Sequence, residues 1–149
     1  MKTIVRSWLV LVIVGLAACG DDSPTAPTTP STTPTTPATP ATGNLTVTLS
    51  SIQSEVFNPS CVVHHGATVA EADLDLSEGR SFANLVNVMS TQVGLELVEP
   101  NDAENSYLIH KLDGRAGIVG ARMPPNGPFL TDEALDLIKQ WIDEGAQDN

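Results

Sequence analysis

The sequence predicts an all-α domain of short helices joined by long loops, occupying about Leu45 to Asn149. Three observations predict it. Apolar residues there recur at three- and four-residue spacing, the period of a helix with one buried face. Ser or Thr stands at the start of three of the four stripes, where a side-chain oxygen satisfies the first free N–H groups. Between the stripes run irregular stretches such as Asp113 to Leu130, rich in Gly and Pro.

In chain order, the residues before that domain come first. Lys2 and Arg6 precede an almost wholly apolar run from Ser7 to Leu16. The run is well short of the roughly 20 residues that span a bilayer, so residues 1–18 read as a signal peptide and not as a transmembrane helix. Leu16-Ala17-Ala18-Cys19 resembles the bacterial lipobox. That resemblance implies diacylglycerol on the Cys19 thiol, cleavage before Cys19 and a lasting lipid anchor, since each buried CH₂ of an acyl chain contributes about 0.8 kcal/mol. Gly20 is not the Asp that favours inner-membrane retention, which points to the outer membrane, with the chain facing the periplasm. Residues 19–44 form a linker. Pro24, Pro27, Pro30, Pro34, Pro37 and Pro40, separated mostly by Thr, favour an extended polyproline-like tether that holds the domain off the lipid surface.

Within the domain, Ser50 and Gln53 read as a capping box opening a helix with Ile52, Val56 and Phe57 on one face. Pro59 is expected to stop that helix close to Cys61. A second helix fits Glu78 to Val88, capped by Ser77, with Phe82, Leu85 and Val86 turned inward. A third fits about Ala103 to Leu112, with Tyr107, Leu108 and Leu112 as its apolar face and Gly114 at its end. The fourth is the clearest. Thr131 caps it, Asp132 and Glu133 sit at the positive end of its dipole, and Leu135, Ile138, Trp141 and Ile142 form its stripe. Gly145 lies just past its end. Aromatic residues make up only 4% of the chain, so the apolar core is thin and a bound cofactor is a candidate to fill its centre.

Charge narrows the partners. Removing Lys2 and Arg6 from the seven basic residues leaves five against 18 acidic ones, a net charge of −13 with His neutral. Phosphate binding needs Lys and Arg, so nucleic acid is excluded as a partner. A protein partner with a basic docking face suits this surface. No nucleophilic triad, phosphate loop or carboxylate pair stands out, so the chain is not read as an enzyme.

Cys61 is the one cysteine that lipid attachment leaves with a thiol, a rare feature outside the cytoplasm. It opens the run Cys61-Val62-Val63-His64-His65-Gly66. Haem attachment of c type uses Cys-x-x-Cys-His, in which two thiols meet two vinyl groups and the following His reaches the iron. Here the first Cys and the final His are in place and His64 replaces the second Cys.

From about Ile52 to Ala146 the chain resembles a monohaem cytochrome c domain of bacterial exported lipoproteins. The matching pieces are Phe57-Asn58-Pro59-Ser60-Cys61 with His65-Gly66, Leu74-Asp75-Leu76-Ser77, and Val98-Glu99-Pro100-Asn101-Asp102. They continue through Ser106 to Leu112, Gly120-Ala121-Arg122-Met123-Pro124-Pro125, Leu130-Thr131, Ile138 to Ile142, and Gly145-Ala146. The resemblance implies a cytochrome c-like fold in which the first and last helices cross beside one haem c. It implies His65 as proximal ligand and Met123, 58 residues later, as distal ligand. Such a pair raises the reduction potential and suits one-electron transfer. Imidazole cannot add across a vinyl group, so at most one thioether forms, through Cys61, with His64 at the haem edge. Neighbouring side chains on a helix point about 100° apart, so only one of His64 and His65 faces the iron.

Other readings stay open. His110 replaces Met123 in a bis-His variant. Cys, His and Met are also the ligands of blue copper, and Cys61, His64 and His65 are possible zinc ligands. Cys61, His65 and Met123 also fit a haem-free domain of the same fold, acting as a binding or structural surface lipoprotein.

Overall fold

The computed structural model describes residues 44–149. The signal peptide, Cys19 and all of the linker before Asn44 lie outside the described residues.

The first helix begins as α1, Leu49–Ile52, and runs on through Gln53–Cys61 in wider turns of π type. Its cap is Thr48 and not Ser50: the Thr48 hydroxyl accepts from Ser51 N at 3.2 Å. Ser50 lies inside the first turn, where its N–H reaches Asn149 O at 2.8 Å. Gln53 serves the core instead of a capping box. Its Nε2 donates to Leu76 O at 2.9 Å and to Asn58 Oδ1 at 2.7 Å, and its Oε1 accepts from Ser81 at 2.6 Å. Pro59 does not stop the helix. Proline lacks an N–H and its ring clashes with the carbonyl four residues back. Widening the turn removes that conflict, as in the bond from Val62 N to Phe57 O at 3.0 Å.

A single 3₁₀ turn, Glu71–Asp73, follows. Ala72 and Asp73 both sit in the left-handed region, at φ 58° and 59°. Each such non-glycine residue costs about 1 kcal/mol or more and needs surrounding contacts to hold it.

Helix α2 is Ser81–Leu85, much shorter than the span from Glu78 to Val88 that the pattern suggests. Residues 77–80 form a turn instead, with Gly79 at φ +76° and Ser77 O accepting from Arg80 N and Ser81 N. At the other end Val86 is extended and pairs with Val98. The chain then doubles back, with Leu97 N bonded to Val88 O at 2.7 Å and Ser90 N to Leu95 O at 2.9 Å. These are isolated bridges, and the described residues contain no continuous strand.

Helix α3, Tyr107–Asp113, starts at Ser106 and not at Ala103. The preceding turn is tied elsewhere: Ala103 N reaches Asp143 Oδ1 at 2.8 Å, and the buried Ser106 hydroxyl accepts from Glu99 N at 2.9 Å. Gly114 ends the helix at φ +75°. Helix α4 spans Asp132–Asp143, and Thr131 accepts from Ala134 N at 3.2 Å. Gly145 turns the chain at φ +98°.

Trp141, Phe57, Ile52, Leu85, Ile109, Ile138 and Ile142 are fully buried in one shared core. Each contributes about 1.5–3 kcal/mol of hydrophobic stabilisation, before the entropy cost of ordering the chain. Of the separate helices, α3 and α4 pack most directly. The first helix is joined to the C-terminal segment through Asn149, which binds Leu49 N and Ser50 N.

Candidate functional site

A cavity of about 330 Å³ opens beside this core. That is the small end of the range of roughly 300–1,000 Å³ in which small-molecule and cofactor sites fall. Its floor is apolar, with Leu76, Leu85, Leu108 and Leu112 among the lining residues. Met89 and Val119 also line it and are exposed, so they mark its rim. Three residues singled out in the sequence, Cys61, His65 and Met123, all line it.

Each reaches the cavity for a local reason. The widened turns around Pro59 carry Cys61 to the end of the first helix, where its thiol lies 3.7 Å from Val56 O. Burial pushes the Cys61 thiol up from 9.0 to about 12, so it is protonated at neutral pH. One further turn places His65, with His64 N and His65 N both bonded to Cys61 O at 3.0 and 2.8 Å. Gly66 is required there, because a Cβ would collide with the Val62 carbonyl oxygen. Met123 is held by α3, its N–H bonded to Lys111 O at 2.8 Å.

The imidazole of His65 is oriented. Its Nδ1 lies 2.9 Å from Glu71 O, and a carbonyl only accepts, so Nδ1 carries the proton. Of the two neutral tautomers, this contact selects the one with its lone pair on Nε2, the arrangement that suits a metal ligand.

His64, expected at the cofactor edge, does not line the cavity. Its Nδ1 lies 3.2 Å from Glu71 Oε1 and its side chain is 39% exposed. His110 also lies outside the lining; its Nε2 meets Glu104 O at 2.8 Å and its ring meets Tyr107 edge-on. Among the described residues no group of three or more His, Cys, Asp and Glu is gathered closely enough to hold a metal ion.

The structure brings further residues to the cavity, of which the sequence marks only Tyr107, as a core position. Tyr107 lines the cavity, and its hydroxyl accepts from Val119 N at 3.0 Å and donates to Gln92 Oε1 at 3.2 Å. It thus joins α3 to segments on both sides of the opening. Lys111 Nζ donates to Val119 O and Ala121 O, each at 2.7 Å, and fixes the loop that leads to Met123. Burial lowers the Lys111 pKa. Arg122 pins the same loop by donating to Leu112 O at 2.7 Å while stacking over Phe129. Glu71 stands out most, because it touches both histidines. The helical stripe marks Tyr107 only as a core residue, and no stripe marks Lys111, Arg122 or Glu71, which act through long polar side chains or a main-chain carbonyl.

The donor set is compatible with haem c: an apolar slot, one thiol, an imidazole with a free Nε2 and a thioether sulfur. No protein-family model matches the chain, and no curated protein and no solved structure matches it either. No helix among the described residues is long and apolar enough to cross a membrane.

Proposed function

We propose that this protein is an electron carrier of the cell envelope, with a cytochrome c-like domain binding one c-type haem through a single thioether. The observation that carries the reading is the convergence of Cys61, His65 and Met123 on one cavity, although Met123 lies 58 residues beyond His65 in the chain. When bound, haem supplies a one-electron iron couple. His65 Nε2 and the Met123 sulfur would hold the iron, a donor pair that suits electron transfer. The Cys61 thiol would supply the single thioether, an S–H addition to one vinyl group with no net oxidation. The leucines of the floor exclude water. Lipid on Cys19 and the proline-rich linker place the domain at the outer membrane facing the periplasm. The acidic surface favours a redox partner with a basic docking face.

The test is expression with cytochrome c maturation, followed by a pyridine haemochrome spectrum of the purified protein. We expect haem that survives denaturation in the wild type and is lost on denaturation in Cys61→Ala. Absence of haem from the wild type would sink the reading. Met123→Ala is expected to change the visible spectrum and lower the reduction potential; an unchanged spectrum removes Met123 as a ligand.

A second reading is favoured by the small size of the cavity and by His64 in place of a second thiol. In it the same domain is haem-free and serves as a binding or structural surface lipoprotein. A haem-free wild type selects it.

A further inference from the structure

We propose that His64 is a positioning residue: it clamps the Glu71–Asp73 turn so that the Glu71 carbonyl stays on the His65 ring. The redox consequence depends on the haem reading above; the clamp itself stands on geometry alone.

Glu71 is tied to His64 at two points. Its backbone N–H donates to His64 O at 3.0 Å, and its carboxylate accepts from His64 Nδ1 at 3.2 Å. The carbonyl of the same residue accepts the Nδ1 proton of His65 at 2.9 Å. One residue therefore joins the two histidines, the first through its side chain and the second through its main chain.

The clamp matters because the turn does not hold itself. Ala72 and Asp73 follow Glu71 directly in the left-handed region, which L-residues avoid. Contacts from outside are needed to keep it. Beyond the His64 bonds they are few: Asp73 N to Ala70 O at 3.0 Å, Leu74 N to Glu71 O at 3.3 Å, and the Thr91 hydroxyl to Ala72 O at 3.3 Å. A cysteine at position 64 could not do the same work, because a thiol is a weak donor. His64, which cannot form a thioether, thus supports the neighbouring ring. With Nδ1–H held by a carbonyl, Nε2 is a stronger donor. A stronger donor favours oxidised iron, so loosening the clamp moves the reduction potential to more positive values.

Two measurements test it, one without haem and one with it. In haem-free protein labelled with ¹⁵N on the histidine rings, NMR is expected to show His65 protonated at Nδ1 and protected from solvent exchange. His64→Ala should speed that exchange about threefold, the scale of one partly exposed hydrogen bond. His64→Gln keeps an N–H donor and should stay near the wild type. Glu71→Ala keeps the carbonyl but loses the carboxylate, and the double variant with His64→Ala should exchange no faster than Glu71→Ala alone. Equal exchange in the wild type and His64→Ala overturns the clamp, as do additive effects in the double variant. In the haem-loaded protein, His64→Ala should raise the potential, and an unchanged potential overturns the clamp while leaving the haem reading intact. A wild type that takes up no haem defeats the haem reading, and the ring-proton measurement still decides the clamp.

Discussion

At Cys61 burial and ionisation oppose each other. The folded protein keeps the thiol protonated up to about 12, while the unfolded chain releases the proton near 9.0. Between those values the unfolded state binds fewer protons, so stability is fully present below pH 9.0 and falls as pH rises toward 12. The slope is about 1.4 kcal/mol per pH unit while only the unfolded thiol is ionised. Urea unfolding of haem-free wild type and Cys61→Ala at about pH 8 and about pH 11 checks this. The stability advantage of the wild type over the variant should shrink as pH rises; a constant difference would show the thiol titrating normally. Gly66 makes a second prediction at this scale. A methyl group there meets the Val62 carbonyl, a main-chain atom that cannot swing aside. Gly66→Ala should cost about 1–3 kcal/mol in urea unfolding, the range of overpacked sites. It should also disturb His65, which is next in the chain.

Among the elements, α4 is legible in the sequence because every local signal agrees. Thr131, the acidic first turn, the stripe from Leu135 to Ile142 and Gly145 all specify one helix with the same ends. Thr131→Ala should destabilise the domain by about 1 kcal/mol, read from urea midpoints, because the Ala134 N–H loses its acceptor. The other helices are legible in position but not in length. Their ends are decided by partners far along the chain: Asn149 at the start of α1, Val98 beyond α2 and Asp143 before α3. Periodicity also implies that Pro59 breaks the first helix, whereas the turn widens around it and delivers Cys61 to the cavity. Of the candidate site, Cys61, His65 and Met123 are legible because their chemistry is in their side chains. Glu71 is not, because it orients His65 through a carbonyl that any residue possesses.

For the whole molecule, the cavity is apolar space inside a domain that has few aromatic side chains to fill it. Walls around such a space lack partner atoms and lose the dispersion contacts that a filled core makes. A ligand that occupies the space restores those contacts and binds the folded state alone, so it stabilises by mass action. Cys61→Ala offers the reversible form of this experiment, since its haem cannot be covalently held. Titrated with free haem, this variant should melt at temperatures that climb steadily with haem concentration. At a hundredfold excess over the dissociation constant the gain is about 2.7 kcal/mol. Adding His65→Ala should flatten the titration by removing the oriented imidazole, whereas adding His110→Ala should leave it unchanged because that ring lies outside the cavity. A melting temperature in Cys61→Ala that ignores haem at every concentration would mean that the space does not take haem, and the haem-free reading would then stand.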